Sequence, residues 1–154
     1  MQSRSVALTG AGAPGTAGTV WALTTGAMQD GFELRVVGLD ARDGVAPVRG
    51  MERTIRIPAP EHPEYVQRLN TILTQEGIDL LVPQTTREVQ FLSRNRERLS
   101  SPVLVAQASA VDIANDKARI TARFAELGLA HPAFRVPTTR SALINAAAEL
   151  GFPF

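Results

Sequence analysis

The stretch IDLLVP, residues 78 to 83, is apolar apart from one aspartate, and it stands between two stretches of helical periodicity. On its N-terminal side Pro63 suits a first helical turn, Val66, Leu69 and Leu73 follow at i, i+3 and i+7, and Gly77 supplies a stop, which predicts a helix over 63–76. On its C-terminal side TTREVQFLSRNRERL predicts a second helix, and PVLVA, 102 to 106, a further strand. Strands joined through single helices need crossover connections, so the sheet they form is parallel and covered by helices on both faces.

The front of the chain fits the same plan. SVALTG, 5 to 10, and ELRVVGLD, 33 to 40, read as buried strands. Between them GTAGTVWALTTGAM predicts a helix with Val20, Leu23 and Ala27 on one side, and TIRI, 54 to 57, has the alternation of a short edge strand. The fold class expected is α/β, a Rossmann-like parallel sheet with helices on both faces, ending near residue 108 and followed by a short helical C-terminal extension. In that extension residues 109–128 predict one or two helices, PAFRVP an extended piece, and RSALINAAAEL a last helix capped by Gly151, leading into an apolar segment that has just begun. Such an ending is expected of a shortened form or fragment of a longer protein.

With 44% hydrophobic residues, 20% charged residues and a net charge of +1, the composition is that of a soluble globular protein and offers no strong polyanion site. RNRER, at 94 to 98, is the nearest thing to a basic cluster and reads as a solvated helix face, so no nucleic-acid partner is expected. The absence of cysteine excludes disulfides, thiolate catalysis and cysteine-ligated zinc. His62 and His131 each precede a proline and lack a second ligand at metal spacing. No run of 18 apolar residues and no leader pattern occurs, so no membrane association and a cytoplasmic location are expected.

TGAGAPG places Gly10, Gly12 and Gly15 in G-x-G-x-x-G spacing after a strand and before a helix, with Asp40 ending the next strand. In a dinucleotide site the first glycine allows a tight turn, the second a close backbone approach, and the third helix–strand contact. The same glycines serve any tight strand-to-helix turn, so a dinucleotide, another anion and a purely steric role stay open. Thr9-Gly10 is also similar to short-chain dehydrogenases, but their remaining glycines would fall at Ala13 or Pro14. Tyr65 is the only tyrosine and begins no Tyr-x-x-x-Lys, which excludes a complete dehydrogenase.

Fifteen arginines and one lysine, Lys117, carry the basic charge. On a helix starting near Asn115 or Asp116, Ile120, Phe124 and Leu127 form one apolar stripe, with Lys117 within roughly 50° of its centre and Arg119, Arg123 and Glu126 opposite. An ammonium on that inward edge either meets an anion, such as a phosphate, or snorkels to a carboxylate such as Asp112 or Asp116.

GIDLLVPQTTREV, PVLVA, SAVDIANDKARITARFAELGL and ELGFPF occur in the order seen at the front of ATP-grasp ligases, and the chain resembles carbamoyl-phosphate-synthetase-like and biotin-carboxylase-like members over essentially its whole length. NDK…ELG…GFP is the most specific part. The resemblance implies a pre-ATP-grasp domain over 1–108 and an incomplete start of the ATP-grasp module over 109–154. It implies ATP and magnesium as cofactors, with Lys117 on the ATP phosphates and the metal-binding acids later in the family pattern. No catalytic residue is expected within these residues, and the portion alone is expected to be inactive. The implied partner is a small carboxylate substrate, activated as an acyl phosphate for attack by an amine. The glycine loop then faces substrate, with Gly10, Gly12 and Ala13 lining the cleft and Thr85, Thr86 and Glu88 of PQTTRE opposite. Thr85-x-x-Glu88 is also a capping box, and capping is the stronger expectation for Glu88. From another class, the chain is a stand-alone dinucleotide-binding module using Gly10, Gly12, Gly15 and Asp40, or a scaffold or oligomerisation domain. The C-terminal helices could swap between neighbouring copies and so make a homo-oligomer.

Overall fold

The computed structural model describes residues 2–151. Its backbone groups into two compact units, Met1–Ala108 and Ser109–Phe154. In the first, β1 (Gln2–Thr9), α1 (Thr16–Gln29), β2 (Phe32–Asp40), β3 (Arg53–Arg56), α2 (Tyr65–Gln75), β4 (Leu80–Val82) and α3 (Thr86–Asn95) follow in order. The sheet runs β3-β2-β1-β4. Every pairing is parallel, with Val6 of β1 opposite Val36 on one side and Leu80 on the other. The α/β architecture with helices on both faces is thus as expected.

Strand side chains alternate between faces, and the core divides accordingly. Ala7, Val37, Leu39 and Leu81 pack with Tyr65, Leu69, Leu73 and Leu92 of α2 and α3. Val6, Leu8 and Val36 pack with Val20 of α1 and with Met51. A β-carbon at Gly38 would lie 2.5 Å from Met51 Sδ and 2.8 Å from Ala11 Cβ, so this glycine makes the room that Met51 fills.

The helix expected from Pro63 begins at Tyr65. Its stop is as expected: Gly77 takes φ +58°, with Gly77 N–H on Thr74 O (3.2 Å) and Ile78 N–H on Leu73 O (2.9 Å), the paired bonds of a Schellman cap. The helix expected to reach Leu99 gives way to a 3-10 turn at Arg96–Arg98.

The strand expected at 102–106 is reduced to a bridge between Val103 and Leu81. Leu81 N–H donates to Pro102 O (2.9 Å) and Leu104 N–H to Leu81 O (2.8 Å), after which Val105 N–H turns back onto Val103 O. Arg96 Nη2 takes the Val105 carbonyl at 2.5 Å. The next bond of a parallel ladder would need an N–H from residue 83 for the Leu104 carbonyl, and Pro83 has none, so the pairing stops there.

The second unit contains α4 (Ala108–Ala114), which starts at the boundary, α5 (Lys117–Glu126) and α6 (Arg140–Leu150). Asp116 caps α5 by accepting from Ala118 N–H (2.9 Å) and Arg119 N–H (3.0 Å), and Thr139 caps α6 from Ala142 N–H (3.1 Å). Gly128, at φ +66°, closes α5 in a second Schellman cap, with Leu129 N–H on Phe124 O. PAFRVP has no strand partner among the described residues, and the apolar segment after Gly151 lies outside them. The inward-facing stripe expected on α5 is not inward: no α5 residue is buried, and Phe124 and Leu127 remain 37% and 55% exposed. Among the described residues of this unit only Val111 and Ala146 are buried, so its short helices build no core deep enough to take the stripe.

Gly38→Ala is expected to cost about 1–3 kcal/mol of stability, the range for overpacking a filled core. Urea denaturation should show a lower midpoint with an unchanged slope; an unchanged midpoint would mean that Met51 and Ala11 yield freely.

Candidate functional site

The C-terminal ends of β1, β2 and β4 open onto one edge of the sheet, and β1 is where the chain order reverses, with β2 to one side and β4 to the other. Open parallel sheets bind ligands at this position. A cleft of about 310 Å³ lies there, lined by Gly12, Ala13, Asp40, Arg42, Thr85 and Glu88, with Arg87 beside them.

Gly10 ends β1 with φ +64°, a conformation that glycine adopts at little cost. A β-carbon on it would lie 2.5 Å from Thr85 Cγ2 and 3.2 Å from Glu88 Oε2, so the loop after β4 sits directly against it. Gln84 ties the two loops, its amide donating to Thr9 O and Thr16 Oγ1, both at 3.2 Å. A β-carbon on Gly12 would run into the Arg42 guanidinium at 1.9 Å. Gly15 is different: its φ is −81° and nothing lies within 4 Å of its would-be β-carbon, so it does not serve the close helix–strand contact expected of a third fingerprint glycine.

Asp40 is 4% exposed and its carboxylate is fully engaged. Oδ2 accepts Gly12 N–H at 2.8 Å, and Oδ1 accepts Arg42 N–H at 2.9 Å and Arg42 Nε–H at 3.1 Å. Burial pushes its pKa up, but the Arg42 guanidinium and the Arg42 and Gly12 amides outweigh that and hold it below the ordinary value. An acid at this strand end takes a ribose hydroxyl in dinucleotide sites, but here the loop itself occupies Asp40. Ala13 N–H is likewise committed, to Gly10 O at 2.8 Å.

Thr85 caps α3, accepting Glu88 N–H at 3.3 Å and donating its hydroxyl to Glu88 Oε2 at 2.7 Å. This is the capping role expected, yet Thr85 and Glu88 also line the cleft. Thr86, in contrast, is exposed and outside the cleft lining. Glu88 is 6% exposed. Burial raises its pKa first, and the nearby Asp40 charge adds to this against the opposing Thr85 and Thr9 hydroxyls. Thr9 Oγ1 lies close enough to favour the ionised form, but it makes no hydrogen bond of good geometry, nor does the buried Tyr65 hydroxyl. Tyr65 is raised by burial and by the Glu88 and Glu61 charges.

Lys117 is the first residue of α5 and is exposed. No ion pair or side-chain hydrogen bond joins its ammonium to another described residue, since Asp116 is spent on the cap and the salt bridges lie elsewhere. Among the described residues no group of three or more histidines and acids could hold a metal ion. No described helix is long and apolar enough to cross a membrane.

Sequence reasoning missed Arg42, Arg87 and Gln84. A signal for Arg42 was available: a charged residue two positions beyond a strand-ending acid lands on the same edge as the glycine loop.

No family model matches the chain. A 62-residue stretch is 37% identical to the carbamoyl phosphate synthase large chain of Rubrobacter xylanophilus, covering 40% of this chain and 6% of that one. Among solved structures, glycinamide-RNase-transformylase T from Mycobacterium tuberculosis aligns over 97% of this chain and 40% of its own, at TM-score 0.60 and 21% identity. The biotin carboxylase domain of the 2-oxoglutarate carboxylase of Hydrogenobacter thermophilus, solved with MgADP, ADP and bicarbonate, aligns over 97% of this chain and 33% of its own, at TM-score 0.61 and 14% identity. The chain thus spans a small part of these proteins. Its resemblance to ATP-grasp ligases holds in sequence over the 62-residue stretch and in fold over nearly the whole chain.

Glu88 sets a pH dependence. Between the ordinary glutamate value of 4.5 and its raised value in the fold, the folded chain binds more protons than the unfolded one, so the Glu88 contribution to stability falls as pH rises through that window. Wild type should therefore lose ground to Glu88→Gln as pH is raised from 4.5 toward neutrality. Urea midpoints of the two proteins across that range check this, and a wild type that instead gains on the variant would mean that Glu88 ionises easily in the fold.

Proposed function

We propose that the chain is the N-terminal portion of an ATP-dependent ligase of the ATP-grasp type, with residues 1–108 as the substrate-facing front domain and 109–154 as the beginning of the nucleotide-binding module. The observation that carries this reading is the 37% identity to carbamoyl phosphate synthase over 62 residues, because likeness at 14–21% identity speaks to architecture only.

In this reading ATP supplies the phosphoryl group that turns a substrate carboxylate into an acyl phosphate, open to attack by an amine. This chain's residues bind and orient. Gly10, Gly12 and Ala13 act by lacking bulk rather than by offering N–H groups, since the Gly12 and Ala13 amides are already used. Arg42 directs Nε and Nη2 at Asp40 and keeps Nη1 for a carboxylate in the cleft. Glu88, buried behind the Thr85 hydroxyl, holds the cap and closes the cleft on that side. Lys117, an exposed ammonium without a partner among the described residues, suits a phosphate oxygen in charge. Among the described residues no cluster of acids and histidines is placed to hold magnesium.

A dinucleotide module is disfavoured by the same geometry, because Asp40 and Gly12 satisfy each other and Gly15 is sterically ordinary.

Lys117→Ala, placed in the full reading frame that encodes this chain, should weaken MgATP binding about tenfold or more in calorimetry, as expected for losing one charge-assisted contact worth ~1.5–3 kcal/mol. The thermal midpoint should not move. Unchanged ATP affinity removes Lys117 from the site, and tight NADH binding by the unmodified chain would support the dinucleotide module instead.

A further inference from the structure

A second concavity, of about 800 Å³, opens on the same sheet edge beyond the end of β3. It shares Ala41 and Ala59 with the cleft described above, so the two adjoin. Ile57, Pro58 and Ala59 give it an apolar part, and Arg56, His62 and Arg68 give it cationic or donor groups. Their commitments differ. Arg56 Nε pairs with Asp43 at 3.0 Å, leaving its two terminal nitrogens. His62 Nδ1 accepts Glu64 N–H at 3.2 Å, which places the proton of the neutral ring on Nε2 as a donor. No ion pair or side-chain hydrogen bond joins the Arg68 guanidinium to another described residue, although Glu64 lines the same groove. In the smaller cleft Arg42 and Arg87 each keep Nη1 beyond their pairs with Asp40 and Glu61.

Two adjoining concavities on one sheet edge therefore each carry arginines with spare donors, and Ile57, Pro58 and Ala59 give the larger one an apolar wall. An acid of one or two carbon atoms would occupy the cleft and leave the larger groove empty. We infer that the groove is a second anion subsite, and that the acid bound here is elongated, with a short apolar body and a second anionic group, carboxylate or phosphate, held by Arg68 with His62 Nε2 and Arg56. This rests on the reading of the cleft as the carboxylate site and narrows its substrate class. Donors at two separate positions also select for length, because a chain too short or too long leaves one anion without its partner.

The test uses the 154-residue chain itself. Backbone amides are followed by NMR during titration with butyrate, with dicarboxylates from succinate to pimelate, and with phosphono-alkanoates of matching length. Butyrate should shift the amides of Gly12 and Arg42 alone. One dicarboxylate or phosphono-acid length should also shift those of His62 and Arg68 and bind at least tenfold tighter than butyrate, the tighter end group identifying carboxylate or phosphate. Arg68→Ala should bring that ligand back to butyrate affinity without changing butyrate binding. If butyrate and every two-anion ligand bind alike at Gly12, or if Arg68→Ala has no effect, the second subsite is wrong while the carboxylate cleft stands. If no acid of either kind shifts Gly12 or Arg42, the carboxylate reading of the cleft falls and takes the subsite with it.

Discussion

Ala7 and Leu8 are both fully buried, one on each side of the sheet, so β1 needs hydrogen-bonded partners along both edges and apolar cover on both faces. That demand orders the first unit. The partners are β2 and β4, and parallel pairing obliges the chain to cross over through helices, α1 to one face and α2 and α3 to the other. It also brings the C-terminal ends of all the strands to one edge. Residues far apart in sequence, Gly10, Asp40 and Glu88, meet there because the strands before them run in the same direction.

At this edge two carboxyl groups experience opposite environments. Asp40 receives two amides and a guanidinium, and stays ionised although buried. Glu88 receives hydroxyls in place of cations, and burial pushes it toward neutrality. The ionised group anchors Arg42 and the glycine loop, while the other closes α3 against Gly10. The cleft mouth offers donors rather than net charge, because Arg42 and Arg87 are each balanced by an acid yet keep N–H groups that those acids do not use.

Features fixed within a few residues were legible in the sequence. Gly77 ended its helix through its own backbone conformation, and Thr85 capped the helix after it through a side chain three residues from its partner. The strands at 5–10 and 33–40 could be read because two buried faces require unbroken apolar runs. What depended on distant partners was harder to see. The strand at 102–106 looked as apolar as the others, but its register sets the next ladder bond against Pro83, which has no N–H to give. The stripe on α5 has the period of a buried face, yet period alone does not provide a surface to bury it against. Asp40 was legible as a strand end, but its saturation by Arg42 required knowing how the loop folds back.

The glycine loop illustrates why spacing underdetermines chemistry. A pyrophosphate needs a free amide at the second glycine and empty space beside it. In this protein Asp40 takes the amide and Arg42 takes the space, so the glycines create a hole that the chain fills with its own ion pair. A carboxylate ligand places no claim on either. It needs only the outward edge of a guanidinium held still, and a buried aspartate gripping the inner edge is a direct way to hold it. The same two-residue step from Asp40 to Arg42 therefore removes one class of ligand from the loop and prepares the site for another.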